Sequence, residues 1–469
     1  MSLDGHIDVC SADRISGWAR RTDGPGTGLR LEVLVGAERI GVCVADRWRA
    51  DLHAAGKGKC GFDFTPASPL PPEALDRVVI RAEGSALVLV NNYGGPQPDP
   101  FAGPPVVAGS RFRRAVLHIG TEKTGSTSLQ RFLAVNRDRL IEAGIYVPLA
   151  LAPVAEVLNH SDLVACAMAD WRLDDELRAA RAIGDAAGLA GFRADVAQRF
   201  ADELARAPAQ CTTLLLSSEH CHSRLLLLHE VAAVRRLVAV HCAETEIWVY
   251  LRPQHALAAS QYAMHLLAGV VDAEMLPRLP YPDFYALPRI TTAEYFDYSH
   301  LLSRWAAVFG RGQMRPMLME PGSRAAIDVV EDVMARLGVA TGGMVPVGRE
   351  AANVSAPAQR FLAGFNRAMA RRAPEHVAWA AHWVAQRLRQ SRPGSGVQPS
   401  GAAIAAFMAQ FAEGNEAVRA GWFPEREALF ALAADVAGEA AGGEVSGAEV
   451  TEILVGLLLA ERQRRSLGS

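Results

Sequence analysis

Lysine is almost missing from this chain. Of 469 residues only Lys57, Lys59 and Lys123 are lysines, and arginine supplies the rest of a Lys+Arg total of 48. A lysine at any given position is therefore improbable by composition, so each of the three is informative. A global basic surface is also lacking. The formal net charge is −3, which excludes the positive footprint of a general nucleic-acid binder. Any anionic ligand must be held by local groups. No CxxC pair occurs, and the seven cysteines (Cys10, Cys43, Cys60, Cys166, Cys211, Cys221, Cys242) are scattered and odd in number. They read as reduced thiols of a cytoplasmic protein. The start, MSLDGHIDVC, has no basic stretch followed by an apolar core, so it does not read as a secretory leader. The longest apolar runs, such as ILVGLLLA near the C-terminus, are far short of the roughly 20 residues that span a bilayer. No internal repeat is evident.

What is present points to a globular chain of more than one core. Hydrophobic residues make up 50% and charged residues 21%, and 469 residues exceed what one core usually holds. Residues 1–95 read as a small β-sandwich. LRLEVLVGAERIGVCVAD has two alternating runs around Gly36, and DRVVIRAEGSALVLVNN has two more around Gly84. Residues 96–110 lie in a stretch dense in Pro and Gly and read as a linker. From 111 to 345, strand-like runs (RAVLHIG, GIYVP, TTLLLSSEH, TEIWVYLRP) alternate with helical patterns, which predicts an α/β core with a parallel sheet flanked by helices. STSLQRFLAVNRDRLIEAGI puts Leu129, Phe132, Leu133 and Leu140 on one helical face. Residues 346–469 read as a helical region packing on that core. Within it, NVSAPAQRFLAGFNRAM has an N-cap at Ser355 and Pro357 in the first turn.

The stretch HIGTEKTGST, His118 to Thr127, follows the first of these strands. A Walker A loop places lysine directly after its second glycine. Here Ser126 follows Gly125, and the lysine is Lys123. The physics is still that of phosphate binding. Gly125 permits a tight turn, the amides of Thr124, Gly125, Ser126 and Thr127 face outward from a helix N-terminus, the hydroxyls of Ser126 and Thr127 add donors, and Lys123 adds charge. The bland alternative is a glycine turn capped by Ser126. A second segment, VYLRPQHALAASQY, ends a strand at Arg252 and carries Ser260 eight positions on. Many phosphoryl-transfer enzymes hold an aspartate for Mg²⁺ at such a strand end; an arginine fork with a serine hydroxyl instead suits a phosphate monoester.

With both motifs in view, the chain resembles the bacterial sulfotransferases that use 3′-phosphoadenosine 5′-phosphosulfate (PAPS). KTGST matches the family's 5′-phosphosulfate loop, and Arg252 with Ser260 matches its R-x7-S pair for the 3′-phosphate. The resemblance covers roughly residues 113–320 and includes FDYSHLLSRWAAVFG; the segments NVS and NEAVRAGWFPER resemble members that modify saccharides. Residues 1–95 resemble a small β domain attached to bacterial glycan-handling enzymes through GHIDV, ISGWAR, RADL and GFDF. In that domain Trp18 or Trp48 would stack on a sugar or, more plainly, pack in the sandwich core. The resemblance implies transfer of a sulfuryl group from PAPS, leaving 3′-phosphoadenosine 5′-phosphate (PAP), to a hydroxyl or amine of a saccharide acceptor, without a metal. It implies that Lys123 stabilises the bridging oxygen, and that the base is Glu219, at the end of LLLSSEH, with His220 as its rival. His220, Cys221 and His222 have the wrong spacing for a closed zinc site. His160, before a helix start, and Tyr262 and His265, beyond Ser260, are candidates for the acceptor; a surface position for His160 and core packing for Tyr262 are the bland readings. Two other function classes stay open: an ATP-dependent P-loop kinase and a non-catalytic glycan-binding protein.

Overall fold

Alternating burial builds the N-terminal part. In the computed structural model, which describes residues 3–10, 12, 14–21, 28–35, 38–47, 59–75, 78–84, 110–170, 172, 173, 175–271, 273–276, 295–319, 328–348, 353–431 and 445–467, this part contains β1 (Leu3–Cys10), β2 (Ile15–Arg21), β3 (Leu29–Val35), β4 (Glu38–Ala45), β5 (Gly61–Phe64) and β6 (Val78–Ala82). They form two antiparallel three-stranded sheets, in the orders β1-β2-β5 and β4-β3-β6. β2 and β6 alternate buried with half-buried positions along their length, as strands with one covered face must. Ile7, Ile15, Ala19 and Phe62 from one sheet and Leu31, Val33, Val78 and Ile80 from the other share a single apolar cluster. That is a sandwich core. The hairpin predicted around Gly36 is β3–β4. The first arm of the one predicted around Gly84 is β6; its second arm, the linker and Trp48 lie outside the described residues. Trp18 is half-buried on β2. The sandwich cluster also includes Ala169, Leu227 and Leu228, which belong to the next part of the chain.

The second part is built on β7 (Phe112–His118), β8 (Ile145–Tyr146), β9 (Thr213–Ser217), β10 (Cys242–Leu251) and β11 (Met314–Leu318). They form a five-stranded sheet in the order β11-β10-β7-β9-β8, and all its pairings are parallel. Successive residues feed opposite cores. Ala115, Leu117, Leu214, Leu216, Ile247, Val249 and Leu251 enter one cluster, while Val116, Leu215, Trp248 and Tyr250 enter the other. Both faces are therefore dry, which is why the strands read as unbroken apolar runs.

One face is covered by α1 (Ser126–Val135), whose Leu129, Phe132 and Leu133 lie in the second cluster. The first cluster takes residues from α2 (Ser161–Ala167), α3 (Ala186–Ala205) and, beyond α4 (His220–Arg224), from α5 (Leu228–Ala239). α6 (Gln254–Ala268) and α7 (Tyr298–Phe309) follow β10, and α8 (Val329–Leu337) follows β11. The single helical face predicted across Leu129 to Leu140 is broken at Asn136, although all four leucine and phenylalanine side chains reach the same cluster. The Asn136 amide bonds the Val345 backbone in both directions, donating at 2.9 Å and accepting at 2.7 Å. A side chain that satisfies a distant backbone pair ends the helix and lets a second one start.

The C-terminal elements are α9 (Ala356–Arg372), α10 (Val377–Ser391), α11 (Gly401–Ala409), α12 (Ala412–Trp422) and α13 (Gly447–Leu467). α9 starts after Ser355 with Pro357 in its first turn, as the sequence predicts. These helices are tied to the sheet. Ile404, Phe407 and Met408 join its first cluster. Gln254, fully buried at the start of α6, exchanges hydrogen bonds with Asn415 of α12, donating at 2.7 Å and accepting at 3.2 Å. Among the described residues no helix is long and apolar enough to cross a membrane.

Candidate active site

In a sheet of this order the chain leaves the central strand β7 toward β8 and β9, then crosses back to β10. Ligands bind such sheets at the carboxyl ends of the strands where the order reverses. The loop from Ile119 to Gly125 leaves β7 at that place, between β9 and β10. It first stays on β10, with Ile119 N–H on Trp248 O (2.9 Å), Tyr250 N–H on Gly120 O (2.6 Å) and Thr121 N–H on Tyr250 O (3.0 Å). The Thr121 hydroxyl adds a bond to the same Tyr250 oxygen at 3.1 Å. The Thr124 hydroxyl closes the loop onto Thr121 O at 2.6 Å, so it is spent on the loop and only its amide is left for a ligand. Lys123 sits at φ 60, in the left-handed region that non-glycine residues rarely occupy. Gly125, at φ 89, caps α1. Ser126 is the first helical residue and caps nothing; no side chain caps this helix. The amides of the first turn thus keep the donors a helix N-terminus offers to an anion.

Arg252 stands just past the end of β10. Its Nη1 donates to Lys123 O at 3.0 Å, fastening the strand end to the loop, and Tyr298 donates to its carbonyl at 2.5 Å. Its Nε is buried and has no hydrogen-bond partner among the described residues. No carboxylate there pairs with it either, and burial pulls its pKa below the ordinary arginine value. A buried cation without a counter-charge is costly unless something else supplies one. Ser260, two turns into α6, is half-buried.

Glu219 lies two residues past β9 and packs against the loop. A Cβ added to Gly120, which sits at φ +97, would come within 3.1 Å of the Glu219 Cβ. Only glycine serves where such a close approach meets such a backbone angle. The Glu219 carboxylate is held by two amides, Gln130 Nε2 from α1 at 2.6 Å and Asn159 Nδ2 at 3.2 Å. Gln130 also reaches the Ser217 hydroxyl at 3.4 Å, and Asn159 accepts from the Ser218 hydroxyl at 2.8 Å. His220 follows on α4, where its Nδ1 is 2.9 Å from Arg224 Nη1.

The other predicted residues divide. His265 lies within electrostatic reach of the loop: burial pulls its pKa down, with Glu122 opposing and Lys123 reinforcing that shift. Tyr262 packs instead with Val354, Ala358 and Leu362 in an apolar cluster, which is the bland reading. His160 is neither surface cap nor ligand contact. It is fully buried, its Nδ1 accepts from Ser217 N–H at 2.9 Å, and its Nε2–H donates to Pro148 O at 3.0 Å. Both ring nitrogens are committed to backbone, so His160 splints the segment after β8 to β9, and its acceptor role is withdrawn. The histidines of HCH diverge. His222 accepts from Glu122 N–H at 3.4 Å and bonds Tyr295 O at 2.9 Å, away from the Arg224 bond of His220.

Sequence reasoning passed over Glu122, the neighbour of Lys123. It is buried, accepting from Gln261 Nε2 at 2.8 Å and from the Tyr295 hydroxyl at 2.9 Å, with Arg224 Nη1 3.9 Å away. The loop is thereby keyed to α4, α6 and the segment before α7. Asn159 was missed beside His160, which drew attention because histidines carry chemistry more often than amides do.

His118, at the end of β7, sets an acid limit. It is fully buried, bonds Ser217 Oγ through Nδ1 at 2.9 Å, and burial pushes its pKa down to about 4. An unfolded histidine titrates near 6.5. Above that pH both states are neutral and His118 contributes nothing to pH dependence. As pH falls through 6.5 toward 4 the unfolded state takes the proton first, so stability drops, by about 3 kcal/mol once both states are protonated. Thermal scans between pH 7 and 4.5 should show the midpoint falling, and the fall should be shallower in His118→Asn. An equal slope in the variant would show that His118 is not the buried neutral group.

No protein-family model matches the chain, and no curated protein matches it. Among solved structures it is similar to a sulfotransferase from Alicyclobacillus acidocaldarius, at 17% sequence identity and a TM-score of 0.33, over 56% of this chain and 92% of that one. A likeness that faint carries nothing about substrate.

Proposed function

We propose that the protein is a sulfotransferase that uses PAPS and delivers the sulfuryl group to a hydroxyl or amine of a carbohydrate. The observation that carries this reading is Arg252, half-buried just past the end of β10, whose buried Nε has no acceptor among the described residues and whose Nη1 joins the Lys123 carbonyl. A kinase would be expected to keep a magnesium-binding carboxylate there. A nucleotide with phosphates at both ends of its ribose needs two anion sites. Lys123, the amides of Thr124 to Thr127 and the hydroxyls of Ser126 and Thr127 make one, and Arg252 with Ser260 makes the other. When bound, PAPS supplies a sulfuryl group on a phosphate leaving group, and that group carries less negative charge than a phosphoryl group, so no magnesium is required.

Each residue then has a task. Lys123 offers a point charge to the leaving oxygen. Glu219 takes the proton of the acceptor hydroxyl or amine, and Gln130 and Asn159 aim its carboxylate. The carbohydrate acceptor is favoured by the saccharide-modifying resemblance of the segments around Asn353 and Asn415. Calorimetry with PAP against ATP, both without metal, tests the reading. Tight metal-free binding of the bisphosphate is the expected result. Preference for Mg·ATP would favour the kinase, and glycan binding with no nucleotide binding would favour a non-catalytic protein.

A further inference from the structure

A neutral imidazole donates from one nitrogen and accepts at the other, and a partner at either nitrogen decides which. At His220 that partner is Arg224, one turn along α4, with Nη1 2.9 Å from the histidine Nδ1. A guanidinium has only donors. Nδ1 must therefore accept, and the ring proton sits on Nε2. Arg224 is not free to turn away. It is buried, its Nη1 also donates to Ser223 Oγ at 3.1 Å, its Nε is 3.5 Å from Asp175, its Nη1 is 3.9 Å from Glu122, and its Nη2 pairs with Glu176.

Protonating His220 a second time would set an N–H against that guanidinium. Burial and then Arg224 hold its pKa below the ordinary histidine value, against the opposing pull of Glu219, Glu122 and Glu176. His220 is half-buried and follows directly on Glu219 at the carboxyl end of the sheet. Among the described residues no hydrogen bond engages its Nε2; its one bond is the one to Arg224.

We propose that His220 is a neutral hydrogen-bond donor, its Nε2–H offered to the oxygens of the transferred group beside Glu219, with Arg224 as the positioning residue that fixes this tautomer. The donor's role toward those oxygens rests on the sulfuryl-transfer reading; the tautomer does not. The assignment also settles the division of labour. A ring whose one lone pair is held by Arg224 has none to take a proton from an acceptor, so that work falls to Glu219. A neutral donor directed at growing oxygen charge stabilises it without a titrating cation in the site.

The tautomer is tested without substrate by long-range ¹H–¹⁵N correlation of the imidazoles in uniformly ¹⁵N-labelled full-length protein, the His220→Gln spectrum identifying the resonance. The expected result is the Nε2–H form at pH 7, titrating below the usual histidine range, and lost in Arg224→Met. An Nδ1–H form, or ordinary titration near 6.5, would overturn the proposal. The role is tested by turnover. Glutamine can present an N–H near the position of Nε2–H, so His220→Gln should keep the rate within about tenfold and leave the pH profile unchanged, while His220→Leu should lose about 100-fold with PAP affinity retained. If glutamine were as inactive as leucine, the imidazole would be acting as the base and the proposal would fail. A protein with the expected tautomer and no affinity for PAP would instead refute the sulfuryl-transfer reading, and with it the donor's role, while leaving the tautomer assigned.

Discussion

Replacing Arg252 by alanine should weaken PAP binding by roughly 100-fold or more, the factor expected when about 3 kcal/mol of charge-assisted contact to a phosphate is removed. The same change should leave the thermal midpoint level or raise it. Among the described residues the wild-type guanidinium's buried Nε has no acceptor and its one side-chain bond is to Lys123 O; deleting an uncompensated charge relieves a desolvation cost. Loss of affinity together with retained or increased stability would identify a group held at a cost for its ligand. Unchanged affinity measured by calorimetry would remove Arg252 from the nucleotide site, and the proposed donor with it.

Glu219→Gln should do the reverse. Donor affinity should stay within about threefold, because the carboxylate is directed between Gln130 and Asn159 and not at the Lys123 to Thr127 loop. Single-turnover rate should fall by roughly 10² to 10⁴, the range for removal of a general base. The amide substitution is chosen because it preserves size beside Gly120, where the Glu219 Cβ has little room. It also brings an NH₂ group against one of two donor amides, so a midpoint loss near 1 kcal/mol is expected. A near-normal rate would show that the proton leaves by another path.

The sequence revealed those parts of the fold that depend on short-range pattern. Period-2 runs gave β3 and β4 as a hairpin. Unbroken apolar runs gave β7, β9 and β10 as strands buried on both faces. The rare lysine pointed to the loop that Arg252 joins through Lys123 O; the pairing of Arg252 with Ser260 stays a proposal. Tertiary partners were not legible. Asn136 divides one helix into two because Val345, 209 positions on, presents a backbone pair to its amide. His160 resembled a surface cap, yet Ser217 and Pro148 enclose it. Glu122 carried no signal in the sequence, yet Gln261 and Tyr295 hold its buried carboxylate. In each case a polar side chain is satisfied by a group far away in sequence, and periodicity holds no record of such pairings.

The reciprocal amide pair of Gln254 and Asn415 joins residues 161 positions apart. Protein synthesis proceeds from the N-terminus, and domains tend to fold as they emerge. Every strand of the parallel sheet has been made by Leu318, but the partner of Gln254, two residues beyond Arg252, is made nearly a hundred residues later. A nascent chain can therefore assemble its sheet on the ribosome while the arginine end of β10 still lacks its final brace. Completion of the proposed nucleotide site should be one of the last events of biogenesis, so that a prematurely terminated chain would be folded in its centre and unfinished at its rim.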